Sequence, residues 1–561
     1  MAKPTRFTPE LVEEYTRKGY WNTTTLSDIC ARNAREYPDK EALVDSRKRL
    51  TWAQVDDQVD RLAQGLVETG FNKDDLIVTQ LPNYAELYLW RIASERAGTL
   101  WLPALRSWRH TEMGYLLKTV KAAGIVILSR FKGFDFLSMI KELQLDLPHL
   151  RQILVAGDDN GRDNKSLKEI LEKPVDKQAL EKVLQRRKAA ATEFSLVLPT
   201  TGTTGLPKFV EHPICTRMNL GRAYAKIFRL TGDDIVGALS PTSGGPNVVA
   251  YLAAPQVGAK IVMLETFDAV EALRLIEREK ITVVCAVPAQ LAMMLQHPDI
   301  FHYDLSSVRL WHSAGAALPY NIGVELEDKI GGTVVQSMGA ADWGSGIVAS
   351  PEDARQVRLQ TAGKPIPGSE IKLVNSEGME VPAGETGEIT GRGAGCASGY
   401  YLDERATLHA WAEDGWIRFG DLGKLDAGGN LIVVGRKKDI IIRGGQNIYP
   451  GEVESLLIEH PGVAGAAVVG IPDPVMGERA CAFLALKKGQ SITFDEVKTF
   501  LKSKNIASYK LPEKIEIINE IPLAGDQKTD KKLLRKRFLE SEAGRQQAQA
   551  GPAGRPGGGQ V

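Results

Sequence analysis

The stretch Leu198-Pro-Thr-Thr-Gly-Thr-Thr-Gly-Leu-Pro-Lys-Phe209 limits what this chain can fold into more than any other. A mainly apolar run, Phe194 to Leu198, leads in, and Phe209-Val210 leads out, which reads as strand, loop, strand. Gly202 and Gly205 carry no Cβ, so a bulky anion can approach the backbone and positive φ is open to them. Successive N–H groups in such a loop make a concave anion site. Thr200, Thr201, Thr203 and Thr204 add hydroxyl donors without bulk, and Lys208 adds a point charge. The loop is suited to phosphate. It is not a Walker loop, which needs Gly-Lys-Ser/Thr opening a helix; here Pro207 precedes the lysine and β-favouring residues follow. Taken alone, the same residues also fit an ordinary hairpin turn.

The rest of the chain gives this loop a setting. At 561 residues it exceeds what one core holds, so two or more domains are expected. Lys plus Arg equals Asp plus Glu, 70 each, which gives no support to a nucleic-acid binder. Five scattered cysteines, with no Cys-x-x-Cys, point to a reducing compartment and away from structural zinc. No run approaches the ~20 apolar residues of a spanning helix, and the first residues lack the apolar core of a signal peptide. A cytoplasmic protein without membrane or nucleic-acid partners, monomer or homodimer, is expected.

From Leu26 to Ser313, strand and helix patterns alternate, the signature of mostly parallel, helix-covered sheets. Examples are the helices Leu26 to Tyr37, capped by Thr25 or Thr24, and Met113 to Ala123, and the strands Leu76 to Leu81 and Val308 to Ser313. Ligands in open α/β sheets lie beyond the strands' carboxyl ends. The loops after Leu198, Leu239, Val287 and His312 are therefore pocket candidates. From Ile371 short strands separated by glycine turns suggest a small barrel-like β unit. The fold class is thus α/β: a large domain over 1–435, a small mobile α+β domain over 436–540, and a Gly/Pro/Gln-rich disordered tail over 541–561.

Five further segments carry motifs. They are Ala314-Gly315-Ala316 after a strand, Gln336-Ser-Met-Gly-Ala-Ala-Asp342, Gly415-Trp-Ile-Arg-Phe-Gly-Asp421 with Arg436 fifteen residues on, Lys438 with Gly444-Gly445 and Asn447-Ile-Tyr-Pro, and Pro522-Leu-Ala-Gly-Asp-Gln-Lys528. With the phosphate loop, and in this order, they resemble the signatures of the adenylate-forming enzymes: acyl-CoA synthetases, aryl-acid ligases, peptide-synthetase adenylation domains and luciferases. The resemblance covers the chain to about residue 538.

The resemblance implies ATP, Mg²⁺ and coenzyme A as cofactors and a small carboxylic acid as substrate. It places Thr200 to Gly205 and Lys208 on the phosphates, and Gly315, Ala316, Met338 and Gly339 beside the nucleotide. Asp342 takes the place of the family's magnesium-binding glutamate, Asp421 holds the ribose, and Arg436 contacts ribose or phosphate. Lys438 marks the hinge, Gly444 and Gly445 lie along the path of CoA, and Lys528 bridges carboxylate and α-phosphate. Ser243, Gly244, Ala314 and Trp343 line the acid pocket. Relatives that take 2-hydroxylated benzoates carry a His-Asn pair near Ser243-Gly244; its absence here disfavours such acids and leaves an aromatic or alicyclic acid, with a medium-chain fatty acid as the alternative. The family departures are Met338 for an aromatic, Asp342 for glutamate, and Gln527 before the lysine. Three readings follow: an acid–CoA ligase, an aryl-acid adenylating enzyme that loads a carrier protein, and a degenerate adenylate-binding protein. If Lys528 serves only the first step, Lys528→Ala abolishes carboxylate-dependent pyrophosphate exchange by orders of magnitude and spares thioester formation from supplied acyl-AMP. Equal loss in both assays contradicts that division.

Overall fold

The computed structural model describes residues 4–157, 164–200, 207–241, 245–444, 446–504, 506–523 and 529–549, without the side chains at 345 and 543–549. The chain divides into two compact units, one of residues up to Phe419 with Gly423–Val433, the other of Gly420–Leu422 with residues from Val434 on.

The larger unit holds two long sheets. In one, nine strands run in the order Lys364–Pro365, Gly344–Val348, Thr333–Ala340, Leu310–Ala314, Val283–Ala286, Ile235–Ala238, Lys260–Met263, Glu41–Val44 and Arg49–Thr51. Its middle is parallel, from Thr333–Ala340 through to Glu41–Val44. The other sheet has eight strands, with Leu100–Pro103, Leu76–Gln80, Gly124–Leu128 and Gln152–Ala156 parallel at its centre. These central strands are Val- and Ile-rich because both faces are covered. One core joins both sheets through the helices between them: Leu43, Val236 and Ile261 from the first, Ile77, Trp101 and Leu196 from the second, with Trp52, Trp90 and Tyr224 from helices.

Local chemistry sets the helix ends. Thr25 caps Leu26–Glu36, its hydroxyl accepting from the Asp28 N–H while the Asp28 carboxylate accepts from the Thr25 N–H. The helix expected over Met113 to Ala123 is instead His110–Thr119. Glu112 accepts from the Arg109 N–H and starts it early, and Lys121 at φ 50° ends it before Ala123. The expected barrel-like unit is a four-stranded sheet, Ser369–Val374, Gly387–Gly393, Ile417–Leu425 and Leu431–Arg436.

The smaller unit has a five-stranded sheet built on the long pair Val463–Asp473 and Gly477–Leu486. Helices Pro450–Ile458 and Phe494–Ser503 lend Val453, Leu457, Val497 and Leu501 to its core. A last helix, Lys531–Gln549, runs past residue 540 into the segment expected to be a tail; on its far side Leu534 and Phe538 are buried against Ile471 and Phe483.

Glu279, at the end of helix Ala269–Glu279, ties that helix to two strands at the sheet edge. Its carboxylate accepts from Arg49 Nη1 at 2.8 Å and Nη2 at 3.0 Å, and from Lys260 Nζ at 3.2 Å. The Arg49 hydrogen bonds, outweighing burial, hold its pKa down to about 2. A depressed carboxyl stabilises the fold fully above its unfolded value, ~4.3, and loses that contribution as pH falls through about 2. Glu279→Gln is therefore expected to cost about 3 kcal/mol at pH 7. The gap in thermal midpoint between variant and wild type should narrow as pH drops below ~4.3; a pH-independent gap rules the account out.

Candidate active site

The strands that flank Thr200 and Lys208 in sequence, Phe194–Pro199 and Phe209–Pro213, form an antiparallel hairpin, in register Leu198 with Val210 and Pro199 with Phe209. The hairpin's neck is closed twice. The Thr200 N–H donates to the Lys208 carbonyl at 2.8 Å, and the Lys208 N–H donates to Thr200 Oγ1 at 3.0 Å. Thr200 thus uses its oxygen to fasten the neck and keeps its O–H free to donate. Thr201, Gly202, Thr203, Thr204 and Gly205 lie outside the described residues, as do Ser243, Gly244, Gly445 and Lys528.

Beyond the neck, Gly399–Tyr400 adds an edge strand to the hairpin, pairing Tyr400 with Val210 and Gly399 with Glu211. Glu211 fastens it. Its buried carboxylate accepts from Ser398 Oγ at 2.9 Å and from the N–H and hydroxyl of Thr5. Gly399 stands at φ 154°, and a Cβ there would lie 2.9 Å from Thr5 Cβ, so the segment requires glycine.

This strand sets the ring of Tyr400 under Lys208, whose Nζ lies 4.4 Å from the ring centroid. The Tyr400 hydroxyl donates to Asp342 Oδ2 at 2.8 Å. Lys208, Tyr400 and Asp342 thus form one line of cation, ring and carboxylate. Burial pushes the Asp342 carboxyl up, and the hydroxyl of Tyr400 and the charge of Lys208 pull it back only in part. Burial and then Asp342 push the Tyr400 phenol far up, so it remains a donor. Such a carboxylate gains from a further cation. Among the described residues no group of three or more His, Cys, Asp or Glu side chains could hold a metal; a magnesium–nucleotide site needs only one or two carboxylates beside the phosphates.

The other nucleotide candidates of this unit line the carboxyl ends of adjacent parallel strands. Ala314 ends Leu310–Ala314 in register with Ser337, and Met338 and Gly339 follow on the neighbouring strand. Gly315 takes φ 93° with no atom closer than 3.6 Å to a would-be Cβ, so it is there for its turn and not for space. Ala316 and Gly339 are exposed. Behind them, buried His312 meets Ser337 Oγ through Nε2 at 2.8 Å, and burial pulls its imidazole down to about 3, leaving it neutral.

Trp343, expected in the acid pocket, is 1% exposed. Its ring lies 4.9 Å from that of Phe419, tilted by 36°, between Gly346 and Gly391, where a Cβ would come within 2.6 and 2.7 Å of it. Tyr400 is the residue the motif reading missed; only a glycine followed by two tyrosines marked it.

In the smaller unit, Arg436 Nε lies 3.2 Å from Asp421 Oδ1, which brings together two residues fifteen apart in sequence. Lys438 belongs to a short 3₁₀ turn, Lys437–Asp439, directly after the strand that carries Arg436. The Gly444 N–H donates to the Met476 carbonyl at 2.8 Å, and a Cβ at Gly444 would meet Met476 Cε at 2.5 Å.

Residues 30–401 match the AMP-binding enzyme family, and residues 452–528 match the AMP-binding enzyme C-terminal domain. The chain belongs to the AMP-binding, adenylate-forming family. It is 32% identical to a salicylyl-CoA synthase / salicylate adenylyltransferase of a Streptomyces species, over 94% of this chain and 96% of the relative. It is 30% identical to the 2,3-dihydroxybenzoate-AMP ligase of Bacillus subtilis (strain 168), over 95% and 98%. Among solved structures it resembles the anthranilate CoA ligase AuaEII in complex with anthranoyl-AMP, with a TM-score of 0.84 at 25% identity over 93% of this chain and 98% of that one. The family's fold, a large parallel-sheet domain followed by a smaller C-terminal one, is the fold found here. No helix of the described residues is long and apolar enough to cross a membrane.

Proposed function

We infer that this protein is an AMP-forming ligase that joins a carboxylic acid to the thiol of coenzyme A at the expense of ATP. The observation that carries the reading is the line Lys208–Tyr400–Asp342 at the neck of the threonine-glycine loop, in a chain that matches both family domains. In the first step an acid oxygen attacks the α-phosphorus of ATP and the bond to pyrophosphate breaks. Such a transfer needs positioning and charge stabilisation more than covalent help. Lys208 and the loop N–H groups hold the leaving pyrophosphate. Asp342 is the carboxylate that would hold Mg²⁺, which when bound neutralises phosphate charge; Tyr400 fixes the carboxylate and keeps one of its oxygens engaged. Asp421 binds the ribose hydroxyls once Arg436 turns to the nucleotide. Lys528 bridges acid and α-phosphate. In the second step the CoA thiolate attacks the acyl carbonyl, the bond to AMP breaks, and AMP leaves; turning at Lys438, along Gly444 and Gly445, serves that step.

The acid is aromatic or alicyclic. Relatives named for salicylate, 2,3-dihydroxybenzoate and anthranilate support an aromatic ring; Ser243-Gly244 in place of a His-Asn pair speaks against an ortho hydroxyl. Loading of a carrier protein is the second reading, since relatives named as AMP ligases align over nearly the full chain.

A pyrophosphate-release screen over carboxylic acids, with ATP and with or without CoA, tests the reading. The expected outcome is release with an aromatic or alicyclic acid and an acyl-CoA product only when CoA is present. An acyl product formed on a carrier protein and never on free CoA favours the second reading. Tyr400→Phe removes a hydrogen bond to a charged group, worth about 1.5–3 kcal/mol. It should slow pyrophosphate exchange roughly tenfold or more, and an unchanged rate removes Tyr400 from the site.

A further inference from the structure

The stretch that carries Tyr400 is gripped by a part of the chain that the reaction above does not use. Residues 4–21 include a surface helix, Pro9–Arg17, none of whose residues is buried. Two polar anchors of this segment end on one stretch, Ala394 to Tyr400, or on the residue that fastens it. The Trp21 Nε1–H donates to the Ala394 carbonyl at 2.8 Å, and Phe7 stacks on the same indole at 4.7 Å. At the other end, the Thr5 N–H donates to the Glu211 carboxylate at 3.1 Å and the Thr5 hydroxyl at 2.9 Å. Ser398 Oγ donates to that carboxylate at 2.9 Å, while the Ser398 N–H donates to the Glu211 carbonyl at 3.1 Å.

The grip reaches the tyrosine ring itself. Arg6 Cζ lies over the Trp411 ring, 4.9 Å from its centroid, and Trp411 meets the Tyr400 ring edge-on at 5.2 Å and 62°. Indole is the side-chain ring that attracts a cation most strongly, so the guanidinium holds Trp411 against rotation. The Trp411 N–H donates to the Thr407 carbonyl, and the Thr407 hydroxyl oxygen accepts the Tyr400 N–H at 2.8 Å. The same stretch touches Asp342 a second time, the Ala397 N–H donating to the Asp342 carbonyl at 3.2 Å. Cover for the core needs only apolar contacts, which Phe7 and Trp21 supply. Thr5 and Arg6 instead reach the two residues that hold Tyr400, Glu211 through its strand and Trp411 through its ring. Displacing a reacting group by about 1 Å from a distant site can cost a hundredfold in rate.

We propose that Thr5 and Arg6 are positioning residues of the adenylation step, acting through Glu211 and Trp411 to hold the Tyr400 hydroxyl on Asp342. The proposal rests on the ligase reading and deepens it: an amino-terminal strap sets the competence of the site for ATP and leaves the thiol step alone.

Three measurements on the full chain decide: acid-dependent pyrophosphate exchange, thioester formation from supplied acyl-AMP and CoA, and the rise of the thermal midpoint with ATP and Mg²⁺. They are made on wild type, Arg6→Met, Arg6→Lys, Thr5→Val and Tyr400→Phe, and on Arg6→Met and Thr5→Val each combined with Tyr400→Phe. Arg6→Met and Thr5→Val should each slow exchange roughly threefold to tenfold, lessen the midpoint rise with ATP and Mg²⁺, and leave thioester formation at the wild-type rate. Arg6→Lys keeps a cation for the indole and restores most of the exchange. Combined with Tyr400→Phe, neither variant slows exchange further, because the hydroxyl it positions is gone. The proposal is overturned if both variants exchange pyrophosphate as wild type does, if they slow both half-reactions alike, as a general loss of stability would, or if their effects multiply with that of Tyr400→Phe. An unchanged exchange rate in Tyr400→Phe alone overturns it as well. Should Thr5→Val not fold, Arg6→Met against Arg6→Lys decides. Should no acid support exchange, the ligase reading fails and the midpoint rise alone judges the strap: an equal rise in wild type and in both variants overturns it.

Discussion

A half-buried carboxylate gains from partners, and the strand pairing of the larger unit gives them to Asp342. One oxygen takes the hydroxyl of Tyr400, and Lys208 stands across the same ring. Tyr400 holds this position because Gly399–Tyr400 pairs with the strand after Lys208, and that pairing is fastened by Glu211, itself a buried carboxylate with its own hydroxyl and amide donors. Each buried charge is met by a hydrogen bond that also fixes a backbone segment. The surroundings still leave the Asp342 carboxyl pushed up, so a further positive charge beside it would be favourable.

Much of this was legible in the sequence, for identifiable reasons. The hairpin around Lys208 follows from apolar runs flanking a threonine-glycine loop, and the parallel sheets follow from alternating strand and helix patterns. Thr25 was legible as a cap because its hydroxyl and Asp28 stand three residues apart. Asp421 and Arg436 were legible only as motif positions; that they pair is set by adjacent strands. Tyr400 was not legible, because its role arises from strand pairing with a segment far earlier in the chain and leaves no periodic trace. That the Trp343 ring packs beside Gly346 and Gly391 was not legible, because only the fold brings Gly391 to it.

In the smaller unit the Asp421–Arg436 pair has a different character. It is a half-buried ion pair between neighbouring strands. The planar guanidinium is suited to bidentate contact with an oxyanion.

The edge strand beside Lys208 has a consequence for how the protein comes into being. The hairpin is complete once the chain has grown past Pro213, yet the ring beneath its lysine belongs to residue 400. During synthesis from the amino terminus, the loop therefore emerges long before its platform, with one hairpin edge unpaired in the interval. A ribosome-bound chain that stops short of Gly399 carries the phosphate loop without the tyrosine that joins it to Asp342. The line from Lys208 to Asp342 is thus completed late, when a long-range strand closes.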